Sequence, residues 1–548
     1  MAWRRISTAG VVALTALAPA CGTDSGVATE RADAIDAPSA DTGPDETSAP
    51  ATVPEDPPAT TDTDDTATPE PPQTAEPPRT TEPSATDATD PPDPSDDPFG
   101  WQERSPGVET GLLEVPVDYD DPGGATFELF MARRLADDQE NKIGSLLVNP
   151  GGPGFGGSDF ALFADQIYGQ ELLERFDIVG WDPRGTGESE PAVDCIDDYD
   201  VFFATPDITP DDDAERLQIV DLAREFAESC ERANAEIIEH VGTNSSARDM
   251  DSIRAALGEA EISYFGFSYG SVLGATWATL FPDTVRAAVL DGASDPNADP
   301  LEKSLQQVRG FEGTLATYLA QCSADTSCAF HNGGDAEGAF DALMQSLDDA
   351  PIPSEPDRPD VNRVVALQGV IQAMYDDSFW PRLSEALAAA QDGDGLGLLQ
   401  LYDAYYQRMF DGTWGNELEA FQTISCMDEE ARATVEQEDA DAPLFQEAGP
   451  RIAPNTTGAY FCTFFPPTTD PRIEITGAGA GPIVVIGTTG DPATPLESTR
   501  AMAATLEDGR LVVVTADQHT GYRVNGCVDD IVHSYLVDLE IPPEETEC

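Results

Sequence analysis

The stretch "YFGFSYGSVLGATW", Tyr264 to Trp277, sets Ser268 between Gly266 and Gly270, after a β-type run and before a helix-like run. A Gly-x-Ser-x-Gly pattern alone is weak in a glycine-rich chain, and a serine in an ordinary turn would satisfy it. The flanks decide the reading. A strand that ends on the serine and a helix, "SVLGATWATLF", that leaves it form the strand-turn-helix of a nucleophile elbow. The helix start also directs N–H groups at charge developing near the hydroxyl.

Outward from Ser268, short continuous apolar runs recur: "GSLLVNP" (144–150), "FDIVGWD" (176–182), "ISYFGFS" (262–268), "AAVLDG" (287–292), "PIVVIG" (482–487) and "RLVVVTA" (510–516). Runs of this length and composition read as strands buried on both faces of a parallel sheet. Between them, "DAERLQIVDLAREFAESC" and "SSARDMDSIRAALG" carry apolar residues at helical spacing, with Ser246 and Asp249 placed as a capping box for the second. Strand and helix in alternation define an α/β fold. From 300 to 473 the alternation stops and helical patterns take over, which predicts a helical cap inserted between two strands of one sheet. The expected core is therefore split into 101–299 and 474–548.

A serine nucleophile needs a base, and the chain has four histidines: His240, His331, His519 and His533. His519 follows "RLVVVTA" in "DQHTGY", at the carboxyl end of the last long strand, where open α/β sheets build their sites. The imidazole needs an acid to hold its tautomer. Asp491, after the strand "PIVVIG", is the first candidate and Asp517, two residues from the histidine, the second. The order Ser268, Asp491, His519 is that of α/β-hydrolases. For the oxyanion, the N–H of Tyr269 follows the nucleophile, and the loop "NPGGPGFGGS" (149–158) follows an early strand as a second donor source. No GKS or GKT follows that loop to make it a phosphate cradle, and no CxxC pair or histidine cluster suggests a metal site. An aspartate would stand at 268 in a dehalogenase or epoxide hydrolase.

"NPGGPGFGGS", "DIVGWDPRGTGES", "ARDMDSIRAALGEAEISYFGFSYGS" and "GTTGDPATP" together resemble the secreted tripeptidyl aminopeptidase family of actinobacteria, relatives of proline iminopeptidases within the α/β-hydrolase fold. In the insertion, "FWPRLSEALAAAQDGD", "ISCMDEEA" and "FCTFFPP" look like that family's cap segments. The resemblance spans roughly 101–548. It implies a serine exopeptidase that removes short peptides, tripeptides among them, from free N-termini, with Ser268, Asp491 and His519 as triad and without a metal or cofactor. By position it implies Gly152 as the oxyanion donor beside Tyr269, although Pro150 stands where proline iminopeptidases have the histidine of HGGPG. A peptide's α-ammonium calls for a carboxylate in the cap, and Asp428 and Glu429 are the candidates. A carboxylesterase or lipid-processing hydrolase would use the same triad, and a non-catalytic surface-binding lipoprotein is a third reading.

Residues 1–21 read as a secretion signal: Arg4 and Arg5, the apolar run Ile6 to Leu17, then small residues before Cys21. "LAPAC" resembles a lipobox, with Leu17 one place further from the cysteine than usual. Acylation of Cys21 would anchor the chain on the outer side of the cytoplasmic membrane; simple cleavage would secrete it. Residues 22–100 are rich in Pro, Thr, Asp and Glu and poor in large apolar side chains, so they are expected to remain a disordered tether, reaching ~200 Å at ~3 Å per residue.

The net charge is −75, from 103 acidic and 28 basic residues. Such a field repels nucleic acid and anionic lipid, which leaves a peptide substrate and the N-terminal anchor as the expected contacts. It fits a surface adapted to a salty milieu, where repulsion is screened, or a compositional bias of the source. Of nine cysteines, eight follow Cys21. In an exported chain that number predicts disulfides, and nearness in sequence favours Cys195 with Cys230, Cys322 with Cys328, Cys426 with Cys462, and Cys527 with Cys548.

Overall fold

The structure, a computed structural model, describes residues 97–455 and 459–548. The signal segment, Cys21 and nearly all of the acidic tether lie outside them. Phe99 is already buried in a core cluster and its carbonyl accepts the Leu112 N–H at 2.9 Å. The packed core thus takes in residues before Trp101.

One sheet of ten strands organises the chain: β1 (Gln102–Ser105), β2 (Val108–Pro116), β3 (Thr126–Arg134), β4 (Gly144–Asn149), β5 (Phe176–Trp181), β6 (Ile262–Phe267), β7 (Val285–Asp291), β8 (Ile483–Thr488), β9 (Gly509–Val514) and β10 (Glu545–Glu547). Their order is β1-β2-β3-β5-β4-β6-β7-β8-β9-β10. The pairs from β1 to β5 are antiparallel. From β5 to β10 the sheet is parallel.

The six apolar runs are β4 to β9, within two residues at each end. β5, β6 and β8 are buried at every position, as sheets covered on both faces require. Alternate residues feed two cores. Ile483 and Val485 of β8 join one, and Val484 and Ile486 join the other.

Seven helices of ten or more residues separate β7 from β8: Pro300–Ala324, Ala336–Asp349, Arg363–Met374, Trp380–Gln391, Leu396–Tyr405, Glu417–Met427 and Val435–Ala448. The first five enclose a third core, which Tyr199, Ala204 and Ala493 join, while Ala420, Ile424 and Met427 of the sixth pack into the one that holds Ile483 and Val485. Local chemistry starts several of them. Asp299 accepts from Glu302 N with Pro300 in the first turn, and Asn362 accepts from Val365 N. The cap is also pinned to the core, because the Glu419 carboxylate accepts the Cys195 N–H at 2.7 Å.

The capping box expected at Ser246 and Asp249 is corrected. The helix is Thr243–Ala256, and both residues lie buried inside it. Its first N–H, at Thr243, donates instead to Asp428 of the cap at 2.7 Å. Asp249 faces the Arg184 guanidinium at 2.6 Å with both side chains fully buried. A buried cation competes for a carboxylate far more strongly than a local backbone N–H does.

Four disulfides join Cys195 to Cys230, Cys322 to Cys328, Cys426 to Cys462 and Cys527 to Cys548. These are the pairs that nearness in sequence favoured.

Candidate active site

Ser268 sits between β6 and the helix Tyr269–Leu280 with φ 55° and ψ −123°. A serine rarely adopts positive φ, so this geometry persists only because the surroundings impose it. The Ser268 N–H donates to the Asp291 carbonyl at 2.7 Å, and the Ser268 carbonyl accepts from Ser271 N at 2.8 Å. Gly266 makes the turn possible: a Cβ there would stand 2.3 Å from the Gly270 carbonyl oxygen.

The imidazole of His519 lies on the loop after β9, its Nδ1 2.8 and 2.9 Å from the two oxygens of Asp491. Asp491 is itself held by Ala493 N at 2.9 Å, Thr494 N at 2.8 Å and the Thr494 hydroxyl at 3.0 Å. With a buried carboxylate on Nδ1, that nitrogen carries the proton and Nε2 is the basic one. Nε2 is buried and has no hydrogen-bond partner among the described residues. Burial pulls the imidazole pKa down, but the charge and hydrogen bond of Asp491, with a further push from Asp291, hold it above its ordinary 6.5. Asp517 makes no hydrogen bond with His519 among the described residues. His533 bonds the Tyr522 hydroxyl at 2.9 Å, and His240 closes a short 3-10 turn.

The glycine-rich loop comes up against the serine. Gly151 and Gly152 have φ of 102° and 106°, and Asn149 Oδ1 accepts the Gly151 N–H at 3.0 Å. A Cβ on Gly151 would stand 2.8 Å from Ser268 Cβ and 3.1 Å from Tyr269 N. The backbone can therefore approach the nucleophile only because residue 151 is glycine. The N–H groups of Gly152 and Tyr269 donate to no acceptor among the described residues, as donors reserved for an oxyanion would.

Asp428 and Glu429 follow the helix Glu417–Met427. Both oxygens of Asp428 are engaged by Thr243, from its N–H at 2.7 Å and its hydroxyl at 2.5 Å. The same hydroxyl meets the Tyr269 phenol at 2.5 Å. The Glu429 carboxylate accepts no hydrogen bond among the described residues, and burial raises its pKa. Of the two candidates, Glu429 is the one without a hydrogen bond among the described residues, and the Lys303, Arg432 and Arg472 charges draw its pKa down against burial.

Three neighbours escape a reading of the sequence. Thr494 braces Asp491 from within an already quoted loop, so its hydroxyl was the available signal. Tyr375, in the cap, accepts the His519 backbone N–H at 2.8 Å and sets its ring edge-on to the imidazole at 5.6 Å. Asp291 ends β7. No local pattern marks either of the last two.

Known proteins resemble this chain in sequence. Residues 144–331 match the family model described as alpha/beta hydrolase fold, and residues 452–548 match the model described as TAP-like protein. The chain is 36% identical over 468 residues to the serine protease Hip1 of Mycobacterium tuberculosis, covering 81% of this chain and 87% of that one. Carboxylesterase B of the same species is 36% identical over 452 residues, 80% of this chain and 85% of that one. The tripeptidyl aminopeptidase of Streptomyces coelicolor is 30% identical over 457 residues, 80% of this chain and 83% of that one.

Proposed function

We propose that this chain, which belongs to the TAP-like family of α/β-hydrolases and is a serine hydrolase, acts as an exopeptidase that releases short peptides from free N-termini. The observations that carry the reading are the buried Asp491–His519 pair, whose Nε2 makes no hydrogen bond among the described residues, and a serine in a strained turn at the end of β6.

In this reading the Ser268 hydroxyl attacks the scissile carbonyl while Nε2 of His519 takes its proton. The N–H groups of Tyr269 and Gly152 receive the oxyanion. The imidazolium then protonates the leaving amine, the C–N bond breaks and the shortened peptide departs. Water, deprotonated by the same nitrogen, attacks the acyl-serine, and the serine regains its proton as the released peptide leaves. Glu429 supports recognition of an α-ammonium group, since it is a half-buried carboxylate that accepts no hydrogen bond among the described residues.

The relative named Carboxylesterase B favours a second reading, an esterase with the same triad. A free-amine tripeptidyl anilide and its N-acetylated twin separate the two. The peptidase reading expects at least a ~100-fold preference in kcat/KM for the free amine, a buried charge pair contributing about 3 kcal/mol. Equal rates on the two substrates would transfer the chain to the esterases.

Four disulfides fit an exported chain in an oxidising setting. Its anchorage we assign to an acylated Cys21. Cys21→Ser should release the protein from membranes into the medium, and membrane retention of that variant would refute the anchor.

A further inference from the structure

We infer that Asp291 is a positioning residue for the catalytic histidine: from the end of β7 its carboxylate holds the backbone of the His519 loop and presents a second negative charge to the imidazolium. The inference rests on His519 being the general base.

Asp291 touches both halves of the machinery. Its carbonyl accepts the Ser268 N–H at 2.7 Å. Its carboxylate accepts the N–H groups of Gly521 at 2.7 Å and Tyr522 at 2.8 Å, one on each oxygen. These are the second and third residues after His519. The next residue, Gly292, lies directly under the ring: a Cβ there would stand 2.9 Å from His519 Cε1 and 3.3 Å from Nδ1. The backbone that carries Asp291 is thus the surface on which the imidazole rests.

A neutral amide cannot replace the carboxylate. The site is fully buried and offers two donors, and asparagine would accept one N–H while aiming its own NH2 at the other. Burial lifts the Asp291 pKa to about 7; the two backbone N–H groups and His519 draw it down, and the Asp491 charge pushes it up. Asp491 from the loop after β8 and His519 from the loop after β9 are the titrating groups that face it. When His519 takes the serine's proton, the new cation lies near two carboxylates, one on Nδ1 and one beneath its own loop. The ionised Asp291 therefore favours the imidazolium, at the cost of repulsion from the Asp491 charge.

The sign follows. Two negative charges raise the imidazole pKa, so removing one lowers it, and the acid limb of kcat/KM moves to lower pH. The test is Asp291→Asn in the full chain, assayed from pH 5 to 9 on a p-nitrophenyl ester that makes no use of an amine site. With the circular dichroism spectrum retained, kcat should fall about 10- to 100-fold from the loosened loop, with KM within about 2-fold and the acid limb lowered by about half a unit or more. An unchanged acid limb in the folded variant overturns the inference, whatever happens to kcat. Should the variant fail to fold, Asp291→Glu decides, because it keeps the charge but displaces the oxygens that hold Gly521 and Tyr522: kcat should fall with the acid limb unchanged, and a wild-type kcat overturns the inference. Failure of the underlying reading is separate, because it would appear as turnover by Ser268→Ala.

Discussion

With Ser268 replaced by alanine, kcat on tripeptidyl and ester substrates is expected to fall about 10⁴- to 10⁶-fold while the protein stays folded. The fold should survive because the serine side chain makes no hydrogen bond among the described residues; the turn is held by its backbone, through Asp291 and Ser271. Alanine also retains the Cβ that abuts Gly151. What disappears is the atom proposed to form the acyl bond. The oxyanion donors and the His519–Asp491 pair remain, so a small residual rate over water is expected. A fluorophosphonate probe should label the wild type and leave the variant blank. Turnover within about 10-fold of wild type in the purified variant would remove Ser268 from the chemistry.

The largest loss of stability is expected at Asp249→Ala. Arg184 and Asp249 are both fully buried, joined by two hydrogen bonds of 2.7 and 2.6 Å. Arg184 also donates to the carbonyls of Pro116, Val117 and His240, and the Tyr119 hydroxyl donates to Asp249 at 2.7 Å. This hub ties the strand β2 exit, the loop after β5 and the helix Thr243–Ala256 together. Removing the carboxylate leaves a guanidinium uncompensated in the interior, at a cost of about 3–5 kcal/mol. Urea unfolding should show the midpoint falling with an unchanged slope. A loss under about 1 kcal/mol would mean that water or another acid replaces Asp249.

The hub also explains how the sequence could be informative and still be misread. "DPRG" stood out as a family marker, yet its arginine works inside the protein, away from the serine. Ser246 and Asp249 matched a capping pattern because local spacing cannot reveal a cation 65 residues upstream in the chain. The six central strands were legible because a parallel sheet covered on both faces leaves uninterrupted apolar runs. β2 was not: Leu113 and Val115 point inward while Leu112 and Glu114 face solvent, and a glycine and a proline dilute the pattern further. β10 is three residues long, with no buried position, and its chain end is tied down by Cys548. The serine, the histidine and Asp491 could be picked out because sites in such sheets sit where strands end. Tyr375 and Asp291 could not, since what they do depends on which loops meet in space.

The Tyr375 carbonyl under the His519 amide has an implication for anyone recombining such proteins. The insertion supplies a backbone anchor for His519, so it is no interchangeable module. A chimera that trades residues 300–473 for a foreign segment inherits a new specificity only if the graft restores an acceptor at that point. A graft without one would bind its ligand above a histidine that has lost its footing.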